Sequence, residues 1–242
     1  MSSNAKFYVP VDLKRTALLV SDVQSQILSR FPAPEQTAYL ERVQRLLDFF
    51  RAEIKKAHDE RNQTSESSSA PTSLYDNCPL IIHHVLPFGL NSNAFVSPYN
   101  KLASWVRSLE AQGFFKDTTK TNPNTPQYAI PPSMAPPSGW GTRDEIIIPK
   151  IQAGSFSSSD LLAYLRARDI KHVVLIGLTT MGSVLGGARL GSDLDFHIII
   201  PRDAVMDDDA EVNDFLLAKV LPKFTDVVDV DDVLGLPSLF LG

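Results

Sequence analysis

Short, almost continuous apolar runs alternate along the chain with stretches in which apolar residues recur every three or four positions. Thr16-Ala17-Leu18-Leu19-Val20 is the first run, and it closes on Ser21-Asp22. Leu80–Leu86, Glu145–Ile148, His172–Gly177, Phe196–Ile200 and Asp226–Val230 follow, the last edge-like in composition. Apolar runs of this length read as strands covered on both faces. Between them, Ala38–Ala57 sets Leu40, Val43, Leu46, Leu47, Phe50 and Ile54 at helical spacing. Lys101–Gln112 does the same with Leu102, Trp105, Val106 and Leu109, and Ser159–Ala167 with Leu161, Leu162 and Leu165. Further helices are predicted over Gly182–Leu190 and Asp209–Val220. Strands alternating with helices imply right-handed crossovers and parallel pairing. The expected fold is therefore a three-layer α/β/α, doubly wound, mostly parallel sheet, in one domain over residues 1–242.

Two segments fall outside this rhythm. Asn62–Ser73 is rich in Ser, Thr, Glu and Pro and is expected to form a mobile surface loop. Asp117–Gly141 carries Pro123, Pro126, Pro131, Pro132, Pro136 and Pro137. Irregular chain of that length inside a compact domain is commonly functional, and this one leads straight into a strand, so it reads as a loop covering a substrate.

Composition narrows the function classes. The formal charge is −5, which argues against a nucleic-acid partner. A lone cysteine, Cys78, excludes an internal disulfide and a cysteine-rich metal site; it reads as structural. Met1–Val20 lacks a basic segment followed by a long apolar run, so no signal peptide is expected. No apolar stretch approaches the ~18 residues of a spanning helix. These features predict a cytoplasmic protein with no membrane partner. Asn62-Gln63-Thr64 matches a glycosylation sequon that would then be accidental.

In an open parallel sheet, ligands bind beyond the carboxyl ends of the strands. That rule selects Asp22, the end of the second strand, Lys150 and the Gly177–Ser183 turn. Asp22 closes an apolar strand, where partial desolvation raises a carboxyl's proton affinity and suits it to acid/base work. Lys150 also follows an apolar strand, and an ammonium there stabilises a carboxylate or a developing negative charge. Ser183 follows Gly177-Leu178-Thr179-Thr180-Met181-Gly182 at the start of a helix, where unpaired N–H groups favour an anion. Taken singly, these residues read as a turn Asp, a surface Lys and a helix cap.

Taken together, they resemble the isochorismatase-like (cysteine hydrolase) superfamily. Leu18-Leu19-Val20-Ser21-Asp22-Val23-Gln24 resembles its strand with the catalytic Asp and a following Gln. Pro149-Lys150-Ile151-Gln152-Ala153-Gly154-Ser155-Phe156, then Ser159-Asp160-Leu161, resembles its lysine segment. Gly177–Val184 with Ala188-Arg189 resembles its nucleophile turn, and Ile199-Ile200-Pro201-Arg202-Asp203-Ala204 its last strand. The likeness runs over about residues 14–206. It implies a hydrolase with Asp22 and Lys150 as an acid/base pair. It also implies a cis peptide at Leu178-Thr179 and an oxyanion hole from the N–H groups of Thr179 and Ser183. The chain departs from the family at Ser183, where the family usually has cysteine. A serine hydroxyl is far less acidic than a thiol and needs a strong base; His83 and His84 are the histidines near this rim, one expected to face the pocket and one the core or helix layer.

The site residues expected are thus Asp22, Lys150 and Ser183 for catalysis, with Gln24, Phe88, Asn91, Trp140, Leu178 and Thr179 toward the substrate. Asn93 sits in the same loop as Asn91. No metal and no cofactor are expected, since the Asp-x-His motif of metal-binding nicotinamidases is missing. Asp207-Asp208-Asp209 reads as a solvated helix start. The function expected is hydrolysis of a small, cyclic or carboxylated molecule, with the bond type open and Ser183 either attacking or shaping the oxyanion hole. The competing reading is an inactive family member that binds a small ligand or a protein. A dinucleotide-binding protein is disfavoured, because Asp22-Val23-Gln24-Ser25-Gln26 is no glycine fingerprint. The resemblance also implies a homodimer or homotetramer, to which the apolar stretch Leu234–Leu241 would contribute.

Overall fold

The structure is a computed structural model and describes residues 6–65, 78–86, 97–111, 130–137, 141–157 and 159–236. Its strands are β1 (Thr16–Ser21), β2 (Leu80–Val85), β3 (Glu145–Pro149), β4 (His172–Leu178), β5 (His197–Pro201), β6 (Val205–Met206) and β7 (Asp226–Val228). Its helices are α1 (Ser25–Leu28), α2 (Ala33–Ser65), α3 (Leu102–Ala111), α4 (Leu161–Ala167), α5 (Leu185–Asp193), α6 (Ala210–Phe215) and α7 (Val230–Leu234). The sheet order is β3-β2-β1-β4-β5-β7, with β6 pairing β4. Every strand pair is parallel. The expected doubly wound α/β/α sheet is therefore what the chain forms.

Period-2 alternation divides the core in two. Leu18, Val20, Ile81, Val85, Val174 and Ile176 point to one face and pack with Tyr39, Val43, Leu46, Leu47 and Phe50 of α2 and Val230 and Val233 of α7. Ala17, Leu19, Leu80, Ile82, Val173 and Leu175 point to the other, against Leu161 and Leu165 of α4 and Ala188 of α5. The chain runs outward from β1 to β3, then returns to lay β4 on the free side of β1. Order therefore reverses between β1 and β4, and a crevice opens there beyond their carboxyl ends.

Several boundaries differ from the sequence reading. The helix predicted over 38–57 spans Ala33–Ser65, so residues 62–65 are helical rather than loop; the rest of that expected loop lies outside the described residues apart from this overlap. The extra turns carry few apolar residues, which is why periodicity missed them. The edge strand ends at Val228, because Asp229 caps α7 with reciprocal bonds to the Asp232 backbone and side chain. The helix predicted from Gly182 begins as a wide π turn over Thr180–Val184, a form with no sequence signature. Of the proline-rich segment, 130–137 and Gly141 are described: Ile130 and Met134 are buried, and Gly141 bridges to Ile146. No described helix is long and apolar enough to cross a membrane.

Candidate active site

The carboxyl ends of β1, β3 and β4 bring Asp22, Lys150 and Ser183 together, each at most 3% exposed. Asp22 is the first residue past β1 and has a positive φ of 59°. Its N–H donates to the His84 carbonyl at 2.8 Å, which holds it at the strand end. Next to it, Gly177 has a φ of +145°, and a β-carbon there would stand 2.0 Å from the Ser21 carbonyl oxygen. Only glycine allows β4 to lie this close to β1 where the turn begins. The Leu178–Thr179 peptide that follows is cis, as the resemblance implied.

Lys150 reaches back from the end of β3 and donates from Nζ to Asp22 Oδ2 at 2.6 Å, to the Ala153 carbonyl at 2.6 Å and to the Gln152 carbonyl at 3.2 Å. All three ammonium protons thus have acceptors. Asp22 is the opposite case. Its Oδ1 is buried without a hydrogen-bond partner among the described residues. Burial pushes its carboxyl up to about 6, against the drawing-down by the charge and hydrogen bond of Lys150 and by the adjoining Ser183 hydroxyl. A carboxyl balanced near neutral pH, with one oxygen open, is equipped to take and return a proton.

Ser183 stands close to Asp22, but its hydroxyl is bonded to Ser21 Oγ. Ser21 Oγ in turn lies 3.1 Å from Ser155 Oγ. A near approach of backbones sets up this chain: a β-carbon on Gly186 would fall 3.1 Å from Gly154 Cα. The start of α5 is thereby seated on the 154–155 segment. The turn itself is tied down by Asp207, whose carboxylate accepts the Met181 N–H at 2.7 Å, and by Thr180 Oγ1, which donates to Asn213 Oδ1 at 2.6 Å. The acidic run at 207–209 therefore does more than face solvent. Asp207 braces the turn, Asp208 pairs with Arg30, and Asp209 caps α6.

The two histidines part as strand alternation requires. His83 faces α2 and bonds Glu145 at 2.9 Å, where Arg51 joins in a two-pronged ion pair. His84 faces the other side, in register with Ser21. It is fully buried, neither ring nitrogen has a partner among the described residues, and burial together with the Lys150 charge lowers its pKa to about 2. It is a neutral imidazole.

Among the expected substrate contacts, Gln24 is buried with its carboxamide paired to the Leu86 backbone: Nε2 donates to the carbonyl and Oε1 accepts from the N–H, each at 2.8 Å. It fastens the β1 turn to the end of β2. The Leu178 side chain packs in the α2-side core, while Thr179 is half-buried at the turn. Phe88, Asn91, Asn93 and Trp140 lie outside the described residues. Cys78 is buried at the opposite end of the sheet, in a cluster with His58, Asp144 and Arg168. Sequence reasoning gave no role of their own to Ser21 or Ser155, and took Gly177 only as the start of the Ser183 turn. Their only signal was position: Ser21 and Gly177 stand one residue before Asp22 and Leu178, and Ser155 five residues past Lys150.

Comparison with known proteins matches this architecture. The chain is 31% identical over 118 residues to an uncharacterized isochorismatase family protein, YecD, of Escherichia coli O157:H7, covering 46% of this chain and 63% of that one. It is 28% identical over 130 residues to the maleamate amidohydrolase of Pseudomonas putida, covering 54% and 56%. The chain thus spans 63% and 56% of the length of these curated relatives. An isochorismatase family structure from Burkholderia thailandensis shares the fold, with a TM-score of 0.60 at 20% identity over 93% of this chain and 97% of that one. The isochorismatase domain model matches residues 90–232, a span that includes Lys150 and Ser183 and lies beyond Asp22. With more than half of its length under that model, the chain belongs to the isochorismatase family.

Proposed function

We propose that the protein is a hydrolase of small carboxylated amides that activates water through Asp22, without a covalent intermediate on Ser183. The observation that carries this reading is the buried Asp22–Lys150 pair with Asp22 Oδ1 open beside the Ser183 hydroxyl. Ionised Asp22 takes a proton from water as the water oxygen bonds to the carbonyl carbon. The same proton then goes to the leaving nitrogen as the C–N bond breaks. The Lys150 ammonium, in contact with Asp22, limits the cost of the buried carboxylate. The N–H groups of Thr179 and Ser183 receive the developing oxyanion. Ser183 occupies the place where cysteine members carry their thiol, but its hydroxyl bonds Ser21 Oγ and adjoins the Asp22 carboxyl rather than the imidazole that serine nucleophiles ordinarily use. A serine so bonded is poorly placed to attack. The similarity to maleamate amidohydrolase supports the substrate class, and Gln24 acts by holding the Asp22 turn.

The test is a screen of small carboxylated amides, maleamate included, against wild type, Asp22→Asn and Ser183→Ala. Asp22→Asn is expected to lose about 10²–10⁴-fold in kcat/KM, while Ser183→Ala keeps most of it. A dead Ser183→Ala together with an acyl adduct by mass spectrometry on wild type would establish covalent catalysis instead. Full activity in Asp22→Asn would refute the reading.

A further inference from the structure

Three side chains with metal-ligating atoms converge at the amino-terminal end of the sheet, opposite the Asp22 rim. His58 comes from α2, Cys78 stands two residues before β2, and Asp144 immediately precedes β3. His58 Nε2 lies 2.8 Å from Asp144 Oδ2, and the Cys78 thiol donates to Asp144 Oδ1 at 3.4 Å. One imidazole nitrogen, one sulfur and one carboxylate oxygen thus lie within 4.8 Å of one another. Backbone pairing holds the strand entries in place: the Ile81 N–H donates to the Asp144 carbonyl at 2.8 Å, and Ile81 pairs with Glu145 in the β2–β3 register. Cys78 and Asp144 are buried, while the His58 side chain is 39% exposed. The set is therefore fixed on its inner side and borders solvent on its outer side, which gives an ion a way in.

A fourth group shows what the cluster attracts. Arg168, the C-cap of α4, directs Nη2 to Asp144 Oδ1 at 2.6 Å and to Cys78 Sγ at 3.2 Å. A cation is thus drawn to the same sulfur and carboxylate. The guanidinium fits them incompletely: its Nε is buried without a hydrogen-bond partner among the described residues, which costs stability. The donor set of nitrogen, sulfur and carboxylate oxygen suits zinc and its neighbours rather than magnesium or calcium, which take oxygen. Tetrahedral ligands at ~2.0–2.3 Å from zinc stand about 3.3–3.8 Å apart. The sulfur–carboxylate separation of 3.4 Å is already of that size. The His58–Asp144 separation has to open by about half an ångström, and His58 is the ligand that borders solvent.

We propose that His58, Cys78 and Asp144 form a binding site for a divalent ion of the zinc class, with Arg168 as the competing cation that leaves when the ion enters. The charges balance. Binding releases the Cys78 proton to solvent, so thiolate and carboxylate together neutralise the ion. The Arg168 guanidinium then turns from the cluster into water. His58 binds as a neutral imidazole through Nε2, and water takes the fourth position. Joined in this way, α2 is pinned to the entries of β2 and β3. The expectation of no metal rested on the missing Asp-x-His motif, whereas this set lies at the other end of the sheet and uses different residues.

Cobalt(II) is the probe, titrated into the untagged full-length protein without oxygen. Cys78 is the chain's single cysteine, so a sulfur-to-cobalt charge-transfer band in the near ultraviolet can arise nowhere else. The expected result is that band, with d–d absorption of tetrahedral strength, and a higher Tm with zinc(II), because the ion binds the folded set. Cys78→Ser should lose the band. His58→Ala and Asp144→Asn should each weaken binding by more than the about 10–100-fold that outer-shell partners cost; the half-exposed His58 keeps the test decisive if the Asn variant folds poorly. Arg168→Gln removes the competitor and should tighten binding about tenfold, the worth of one charge-assisted hydrogen bond. An Arg168 that only braced Asp144 would not hold the dissociation constant up in this way. Absence of the charge-transfer band in excess cobalt(II) overturns the proposal. So does a band that keeps its strength and affinity in both His58→Ala and Asp144→Asn, which would mark a thiol binding metal alone. Weaker binding in Arg168→Gln than in wild type would overturn the exchange of guanidinium for metal.

Discussion

Replacing Lys150 by Met removes the counter-charge of Asp22 and keeps the bulk. Three hydrogen bonds vanish, one to Asp22 and two to the carbonyls of Gln152 and Ala153. The carbonyl losses cost about 1–3 kcal/mol each if the oxygens stay dry, at every pH. The carboxyl responds differently. An opposite charge in contact holds a carboxyl down by about 1–3 units, so Asp22 should rise by that much from its value of about 6. The sign follows from proton counts. Asp22 is 3.8 when unfolded and about 6 when folded, so between these values the native state binds more protons and stability falls as pH rises. In wild type that penalty is complete just above pH 6 and is worth ~3 kcal/mol, at about 1.4 kcal/mol per unit. In Lys150→Met the fall continues to higher pH and adds about 1.4–4 kcal/mol. Urea unfolding of both proteins from pH 5 to pH 9 measures this. The gap between them is expected to be roughly constant at pH 5, where Asp22 is mostly protonated in both, and to widen by that amount toward pH 9. A gap that stays the same at both ends would refute the coupling.

Gly177→Ala would place a β-carbon 2.0 Å from the Ser21 carbonyl at a φ of +145°; a loss of roughly 3 kcal/mol or more is expected, read as a lower Tm, with Ser21 displaced. Glu145→Gln removes the acid shared by His83 and Arg51. Burial opposes ionisation of Glu145, but the bonds from His83 and Arg51 outweigh it and hold the carboxyl below its usual range. Its contribution is therefore present at pH 7 and lost as pH falls through the folded value. The variant should be about 3 kcal/mol less stable than wild type at pH 7, with the difference shrinking in acid; equal differences at pH 7 and pH 3.5 would argue against that origin.

The sheet was legible because its strands are apolar on both faces and its helices carry one apolar stripe. Strand ends located Asp22, Lys150 and the Ser183 turn for the same reason: a charge or hydroxyl directly after an apolar run has to sit at the rim. The boundaries failed where local chemistry, not hydrophobicity, decides them. The polar last turns of α2, the reciprocal cap at Asp229 and the π turn before α5 carry no period to read. The site's inner layer was hidden for a different reason. Ser21, Ser155 and Ser183 are far apart in sequence and meet only because glycines at 177 and 186 let backbones touch. Nor does the sequence say which of two adjacent histidines faces which layer until strand register is known. Gln24 shows the converse: a residue picked for a ligand spends its amide on the neighbouring backbone.

The wild-type Asp22 carboxyl, titrated by ¹³C NMR with Asp22→Asn as the assignment control, probes most directly whether a buried acid beside Lys150 and Ser183 is set for proton transfer near neutral pH. A midpoint near 6 is the expected result. A midpoint at or below the ordinary aspartate value of about 4 would contradict it.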